Sequence, residues 1–179
     1  GKCVFTSEWD ENAKKTYRAN FGETPFGDIT KDYTKNYIPE NFDVLCAGFP
    51  CQAFSIAGYQ KGFHDTRGTL FFDLEKIIET KRPKVVFLEN VKNLVTHDKG
   101  NTFKIIIEIL EKKLGYKTYT KVLNSSTYAN IPQNRERIFI VSIRNDIDRN
   151  KFVFPSPVEL KLKLKDILEH APIWWGSDD

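Results

Sequence analysis

The stretch "KVVFLE", residues 84–89, decides the fold because its apolar run is unbroken from Val85 to Leu88. A strand with one solvent-facing side alternates apolar and polar residues, whereas a strand covered on both faces does not. The run therefore predicts a central strand of a sheet that has helices on both faces. Comparable runs predict further strands near residues 2–7, 43–48, 117–123 and 137–143.

Segments with helical periodicity lie between these runs, near residues 10–20, 69–81 and 100–114. Asp10 and Thr69 are suited to cap the first two helices, and Gly115 to end the third. Strands that alternate with helices are typical of an α/β, doubly wound fold with a parallel sheet. After Arg144 the pattern weakens to a loop, an extended segment and a short helix.

The composition predicts one domain, since 179 residues with 40% hydrophobic content are too few for two ordinary cores. A net charge of +3, from 27 basic and 24 acidic residues, permits a nucleic-acid partner without requiring one. Cys3, Cys46 and Cys51 are an odd number without repeated close spacing. This argues against a disulfide framework or a metal site and favours a reduced, cytoplasmic protein. We expect a monomer without a membrane span, and we expect Cys3 and Cys46 to be buried.

Acidic and aromatic residues follow the first predicted strands, where ligands bind in a doubly wound sheet. Glu8 is placed to accept hydrogen bonds from ribose hydroxyls, and Trp9 offers a flat face to an adenine ring. Asp28 is placed either to bind an adenine amino group or to turn the chain. The alternative for the first pair is that Glu8 and Asp10 cap a helix while Trp9 lies in the core.

A thiol, a carboxylate and two arginines follow or precede other predicted strands. Cys51 lies in the loop "GFPCQ", where a thiolate would be a nucleophile, although most free cysteines are buried apolar residues. Glu89 ends the central strand, where a buried carboxylate needs a partner or a catalytic task. The alternative is that its side chain points to solvent. Arg135 and Arg137 alternate as the chain enters the last strand, so both should point to one face, where they could bind phosphate or a substrate carbonyl. The alternative is that this strand edge only faces solvent.

These residues together favour methylation of cytosine. Carbon 5 of cytosine is a weak nucleophile, but a thiolate added to carbon 6 converts the ring to an enamine that accepts a methyl group. An acid at ring nitrogen 3 and an arginine at the ring carbonyl relieve the charge that develops. An adenosine-bearing methyl donor would lie beside Glu8 and Asp28.

The blocks "GFPCQAFSIAG", "FLENVKNL" and "PQNRERIFIV" occur in this order, with 37 residues between Cys51 and Glu89. They resemble the signature blocks of DNA (cytosine-5) methyltransferases of the bacterial restriction-modification type, and the resemblance covers the chain to about residue 170. It implies a Rossmann-like S-adenosylmethionine-dependent fold, with S-adenosylhomocysteine as product, and a duplex DNA substrate whose target base is flipped out. Its implied catalytic residues are Cys51, Glu89, Arg135 and Arg137. Its implied cofactor contacts are Glu8, Trp9, Asp28, Ile29, Pro50 and Leu70. Its implied DNA contacts are Gln52, Ser55, Arg67 and Gln133. No metal is implied.

The sequence also departs from the family pattern. The glycine-rich first strand that cradles the methionine part of the cofactor would precede Gly1, and the target-recognition region would follow residue 170. We therefore interpret residues 1–154 as a partial catalytic domain that lacks its first strand. Residues 155–179 are interpreted as the start of the connection to the recognition region.

Three other functions are consistent with parts of this pattern. Related sequences methylate cytosine in transfer RNA with the same pocket. A non-catalytic fragment would bind DNA or a partner chain, but it would not need Cys51, Glu89 and Arg135 together. A Rossmann-type oxidoreductase is the weakest alternative, because the sequence has no glycine fingerprint.

Overall fold

The computed structural model describes residues 1–50 and 70–167, and these contain one four-stranded sheet. Its strands are β1 (Val44–Gly48), β2 (Val85–Val91), β3 (Tyr116–Asn124) and β4 (Glu136–Arg144), in the order β1-β2-β4-β3. Four of the five predicted strands are therefore confirmed. The apolar run at residues 84–89 forms β2, which has a neighbour on each side, as predicted.

The three longer helices lie where the periodicity predicts them, whereas the single-turn helices at Asp32–Lys35 and Ser125–Tyr128 were not predicted. They are α1 (Glu11–Phe21), α2 (Asp32–Lys35), α3 (Leu70–Lys81), α4 (Asn101–Glu108), α5 (Ser125–Tyr128) and α6 (Leu164–Ile167). Asp10 caps α1 by accepting a 2.7 Å hydrogen bond from the Ala13 amide, as predicted. α4 continues as a π-helical turn over Ile109–Lys113, and Gly115 follows it with a left-handed φ of 74°. Thr69, the predicted cap of α3, lies outside the described residues.

The sheet is mixed, so the prediction of a parallel sheet is only partly right. β1 and β2 are parallel, but β4 runs antiparallel to both β2 and β3. Residues 125–135 connect β3 to β4 and include the single-turn helix α5. A parallel return needs a crossover of about a dozen residues or more, which usually contains a longer helix. The short connection instead brings β4 back antiparallel to β3.

The predicted strand at residues 2–7 does not join the sheet. This segment makes one parallel bridge, between Ser7 and Phe26. Hydrogen bonds of 2.8 Å from the Phe26 amide to the Thr6 carbonyl and 3.0 Å from the Glu8 amide to the Phe26 carbonyl complete it. A strand needs a partner backbone along its length, and only this short stretch provides one among the described residues.

The two faces of the sheet differ in burial. Val86, Leu88 and Ile140 lie in the core formed with α3 and α4 and expose no surface. On the other face, Phe87 is 37% exposed, and Cys46, its partner in register, is exposed as well. The predictions that residues 84–89 are covered on both faces and that Cys46 is buried are therefore wrong for the described residues. Side chains alternate along a strand, so Cys46 belongs to the face that these residues leave open.

The prediction that Cys3 is buried is also wrong, because its side chain is exposed. Among the described residues, the segment that carries Cys3 pairs only through the bridge at Ser7, so none of the described strands covers it. Within residues 1–50 and 70–167, no helix is long and apolar enough to cross a membrane.

Candidate active site

An ion pair joins the ends of two neighbouring strands. The Nε atom of Arg137 lies 2.9 Å from Oε1 of Glu89, and their side chains are 22% and 34% exposed. Arg137 pairs with Val91 in the β2–β4 ladder, so Glu89, two residues before Val91, points to the same face. The predicted partner for the strand-end carboxylate is therefore present, and it is one of the two predicted arginines.

Gly48 leaves room for the carboxylate of Glu89. The two residues are paired in the parallel β1–β2 ladder. A Cβ atom built on Gly48 would lie 3.5 Å from Oε2 of Glu89, so the acid lies directly beside the last residue of β1. β1 leads through Phe49 and Pro50 into Cys51.

Asn90 anchors the residues that precede Cys51. Its side chain is almost completely buried, and its Nδ2 donates a 2.7 Å hydrogen bond to the carbonyl oxygen of Phe49. Its Oδ1 accepts a 2.8 Å hydrogen bond from the Val91 amide. Asn90 was not among the site residues predicted from the sequence. The signal that could have identified it is an amide side chain two residues after a buried apolar run, where an unpaired polar group is costly.

Several predicted residues lie outside the described residues. These are the nucleophile Cys51 and the DNA contacts Gln52, Ser55 and Arg67. Pro50, the last described residue before them, is exposed, and Leu70, the first residue after them, packs against the core.

Arg135 lies one residue before β4, and its side chain makes no hydrogen bond or ion pair with the described residues. The structure therefore brings Arg137, but not Arg135, to Glu89. Glu136, between the two arginines, pairs with Lys92 at 2.9 Å. Gln133 is exposed in the loop before Arg135. Arg135 is exposed as well.

Glu8 and Asp28 follow the two short parallel segments that meet at the Ser7–Phe26 bridge. Oε1 of Glu8 accepts hydrogen bonds of 2.8 Å and 2.9 Å from the amides of Trp9 and Asp10, and Oε2 has no hydrogen-bond partner in the described part of the chain. Trp9 is 76% exposed, so the alternative that it lies in the core is wrong for the described residues.

Asp28 turns the chain and stays available as a charge. Its Oδ1 accepts a 2.9 Å hydrogen bond from the Thr30 amide. This bond, reinforced by the Thr30 side chain, lowers the pKa of Asp28 below its usual value. The neighbouring Ile29 is partly buried and packs against the core. The carboxylates of Glu8 and Asp28 thus stand at the ends of adjacent segments, with the indole of Trp9 beside them.

Comparison with known sequences identifies relatives of this chain. The family described as C-5 cytosine-specific DNA methylase matches residues 1–178. The type II methyltransferase M.HpaII of Haemophilus parainfluenzae is 53% identical over 173 residues, which are 97% of this chain and 48% of the relative. The type II methyltransferase M.HhaI of Haemophilus parahaemolyticus is 53% identical over 167 residues, or 93% of this chain and 50% of the relative. The chain thus spans about half the length of these relatives.

Solved structures with the same fold have more distant sequences. A DNMT2 mutant of Spodoptera frugiperda superposes with a TM-score of 0.66 at 24% identity, covering 94% of this chain and 53% of that structure. The S. pombe Dnmt2 methyltransferase superposes with a TM-score of 0.65 at 18% identity, covering 97% and 54%. These likenesses confirm the Rossmann-like methyltransferase fold. From the family match over residues 1–178 and the identity to bacterial type II methyltransferases, the chain belongs to the C-5 cytosine-specific DNA methylase family.

Proposed function

We propose that the full-length protein transfers a methyl group from S-adenosylmethionine to carbon 5 of cytosine in duplex DNA. The observation that carries the proposal is the ion pair between Glu89 and Arg137, beside the residues that lead into Cys51. The reaction needs a thiolate, a carboxylate and a guanidinium. Glu89 and Arg137 supply the last two, and Cys51 follows the last residue of β1 by three positions in the sequence.

Cys51 begins the reaction in this proposal. Its thiolate forms a bond to carbon 6 of the flipped base, and the electron pair of the 5,6 double bond moves towards nitrogen 3. Glu89 holds a proton at nitrogen 3 and accepts a hydrogen bond from the exocyclic amine. Arg137 holds Glu89 and donates to the ring carbonyl oxygen. Carbon 5 would then take the methyl group, with S-adenosylhomocysteine as the leaving group, and the proton at nitrogen 3 would return to Glu89. A water molecule would take the proton from carbon 5 as the bond between carbon 6 and sulfur breaks and Cys51 leaves as a thiolate.

The described residues fit the adenosine half of S-adenosylmethionine. Glu8 keeps one carboxylate oxygen open, which suits the hydroxyls of a ribose, and the exposed face of Trp9 suits stacking on a purine. The carboxylate of Asp28 suits an adenine amino group, with Ile29, Pro50 and Leu70 as apolar neighbours. When bound, S-adenosylmethionine supplies an electrophilic methyl group.

The proposed DNA contacts lie in two parts of the sequence, residues 52–67 and residues 133–135. We propose Gln52, Ser55, Arg67 and Gln133 as contacts to the duplex and Arg135 as a contact to its phosphate backbone. The exposure of Arg135 and Gln133 supports this assignment, since phosphate contacts are made by side chains that reach out from the fold.

The test is methyl transfer by the full-length protein. Unmethylated plasmid DNA and unmodified transfer RNA are each incubated with S-adenosylmethionine that carries a labelled methyl group, and the product nucleosides are identified by mass spectrometry. We expect 5-methylcytosine in the plasmid and none in the RNA. If the methyl label is found in the RNA but not in the DNA, the transfer-RNA alternative replaces the proposal. No labelled product on either substrate would favour the non-catalytic alternative.

A further inference from the structure

The loop between β3 and β4, residues 125–135, carries Arg135 and is folded around one side chain, that of Asn124. Oδ1 of Asn124 accepts hydrogen bonds from the Ser126 amide at 3.1 Å and from the Arg135 amide at 3.3 Å. Its Nδ2 donates a 2.5 Å hydrogen bond to Oδ1 of Asn134. One amide side chain thus binds both the beginning and the end of the loop.

The Arg135 backbone has two further hydrogen bonds among the described residues, and both are to backbone groups. Arg135 precedes the β4 ladder, which begins with the pairing of Asn124 and Glu136. Its carbonyl accepts a 3.1 Å hydrogen bond from the Ser125 amide, and its amide also donates to the Gln133 carbonyl at 3.1 Å. Because its side chain has no polar partner among the described residues, only the backbone determines where the guanidinium can reach.

We propose that Asn124 is a positioning residue that holds the backbone of Arg135 so that its guanidinium meets a DNA phosphate. This inference rests on the proposed function. Fixing the backbone in advance lowers the entropy that a long arginine loses when it binds a phosphate. Asn124 therefore affects DNA affinity, and it does so through Arg135.

An amide suits this position because it accepts and donates at once. Aspartate keeps the oxygen that accepts from the Ser126 and Arg135 amides, and the amide of Asn134 can rotate to donate to the second oxygen. Serine is shorter: it can still cap α5 but cannot reach Arg135. The substitutions Asn124→Asp and Asn124→Ser thus separate the contact with Arg135 from the cap of α5.

The experiment measures how the affinity of the full-length protein for a mixed-sequence DNA duplex depends on salt. Each phosphate contact contributes about 0.9 to the slope of log K against log salt concentration. Arg135→Ala should therefore reduce the slope by about 0.9. We expect Asn124→Ser to reduce the slope almost as much as Arg135→Ala does. The double variant should have the same slope as Arg135→Ala alone. Asn124→Asp should have the wild-type slope.

Two controls distinguish positioning from a general effect on folding. Thr127→Ala changes an exposed residue of α5 whose side chain makes no hydrogen bond among the described residues, and it should leave the slope unchanged. S-adenosylmethionine affinity of Asn124→Ser, measured by calorimetry, should equal that of the wild type. If Asn124→Ser loses cofactor binding as well, Asn124 is a general structural residue and the proposal is wrong.

The remaining outcomes separate this proposal from the function on which it rests. Suppose that the wild type methylates DNA but Asn124→Ser keeps the full slope. Asn124 then does not act through Arg135, and the same conclusion holds if the slope reductions of Asn124→Ser and Arg135→Ala add in the double variant. If Arg135→Ala keeps the full slope, Arg135 meets no phosphate, and the role of Asn124 fails with it. A wild-type protein that neither binds nor methylates the duplex overturns the proposed function itself.

Discussion

The side-chain amide of Asn90 donates a 2.7 Å hydrogen bond to the carbonyl oxygen of Phe49 and so ties the end of β2 to the end of β1. Glu89, the preceding residue, forms the ion pair with Arg137, and Cys51 follows Phe49 by two positions. One buried amide thus connects the segment that carries the proposed acid to the segment that leads into the proposed nucleophile.

Asn90→Ala should weaken both the fold and the chemistry. The Phe49 carbonyl would lose a buried partner, which costs about 1–3 kcal/mol in the free energy of unfolding. The segment before Cys51 would also lose its anchor. The rate of methyl transfer should therefore fall by a larger factor than the affinity for S-adenosylmethionine. Urea denaturation and single-turnover methylation measure the two effects. Asn93→Ala, in an exposed residue of the same region, serves as the control. A variant with wild-type turnover would show that this hydrogen bond does not position the nucleophile.

Glu89→Gln should slow methyl transfer by about 100- to 10,000-fold, the range for loss of a general acid or base. DNA affinity should change little, because the proposed proton is needed mainly in the transition state. Glu136→Gln is the matched control, since Glu136 is a partly exposed acid next to Arg137 that pairs with Lys92 instead. Equal losses of rate in the two variants would remove the special role of Glu89.

Glu8→Ala should weaken S-adenosylmethionine binding by about 1.5–3 kcal/mol, the range for a hydrogen bond to a charged group. Glu11→Ala removes an exposed carboxylate three residues away, which pairs with Lys14, and should leave the affinity unchanged. Isothermal titration calorimetry of the full-length variants measures both values. Unchanged affinity for Glu8→Ala would exclude Glu8 from the cofactor site.

Asp28 should keep its charge through the whole range in which the protein works. The hydrogen bonds from Thr30 lower its pKa, so its ionised form favours the folded state above the usual aspartate value of 3.8. That contribution is lost only as the pH falls through the lower folded-state value. The cofactor affinity lost in Asp28→Asn should therefore be the same at about pH 6 and about pH 8, as measured by calorimetry. A loss that grows between these two pH values would show that Asp28 titrates there.

The sequence predicts the strand ends of this site better than the contacts between them. The apolar run at residues 84–89 and the motifs beside it are local patterns, so β2, Glu89 and Arg137 are found from them. The role of Asn90 depends on a carbonyl 41 residues earlier in the chain, and no local pattern contains that partner. The roles of Asn124 and of the reversed strand β4 depend likewise on how a short connection folds.

Burial of Cys46 was predicted wrongly for a related reason. An apolar strand residue is buried only if another element covers its face, and this is a property of the packed molecule rather than of the strand. The expected roles of Cys51, Gln52, Ser55 and Arg67 stay predictions, because these residues lie outside the described part of the chain.

Covalent trapping tests the central claim most directly. The full-length protein is incubated with S-adenosylmethionine and a duplex in which 5-fluorocytosine replaces every cytosine, so that the unknown target sequence is included. Fluorine at carbon 5 cannot leave as a proton does, and the adduct should persist through proteolysis and mass spectrometry. Cys3 and Cys46 are both exposed and are internal controls, since either thiol is accessible to a reactive base. We predict an adduct on Cys51 alone, absent in Cys51→Ser and retained in Cys46→Ser. An adduct on Cys3 or Cys46, or trapping that survives Cys51→Ser, would contradict the mechanism.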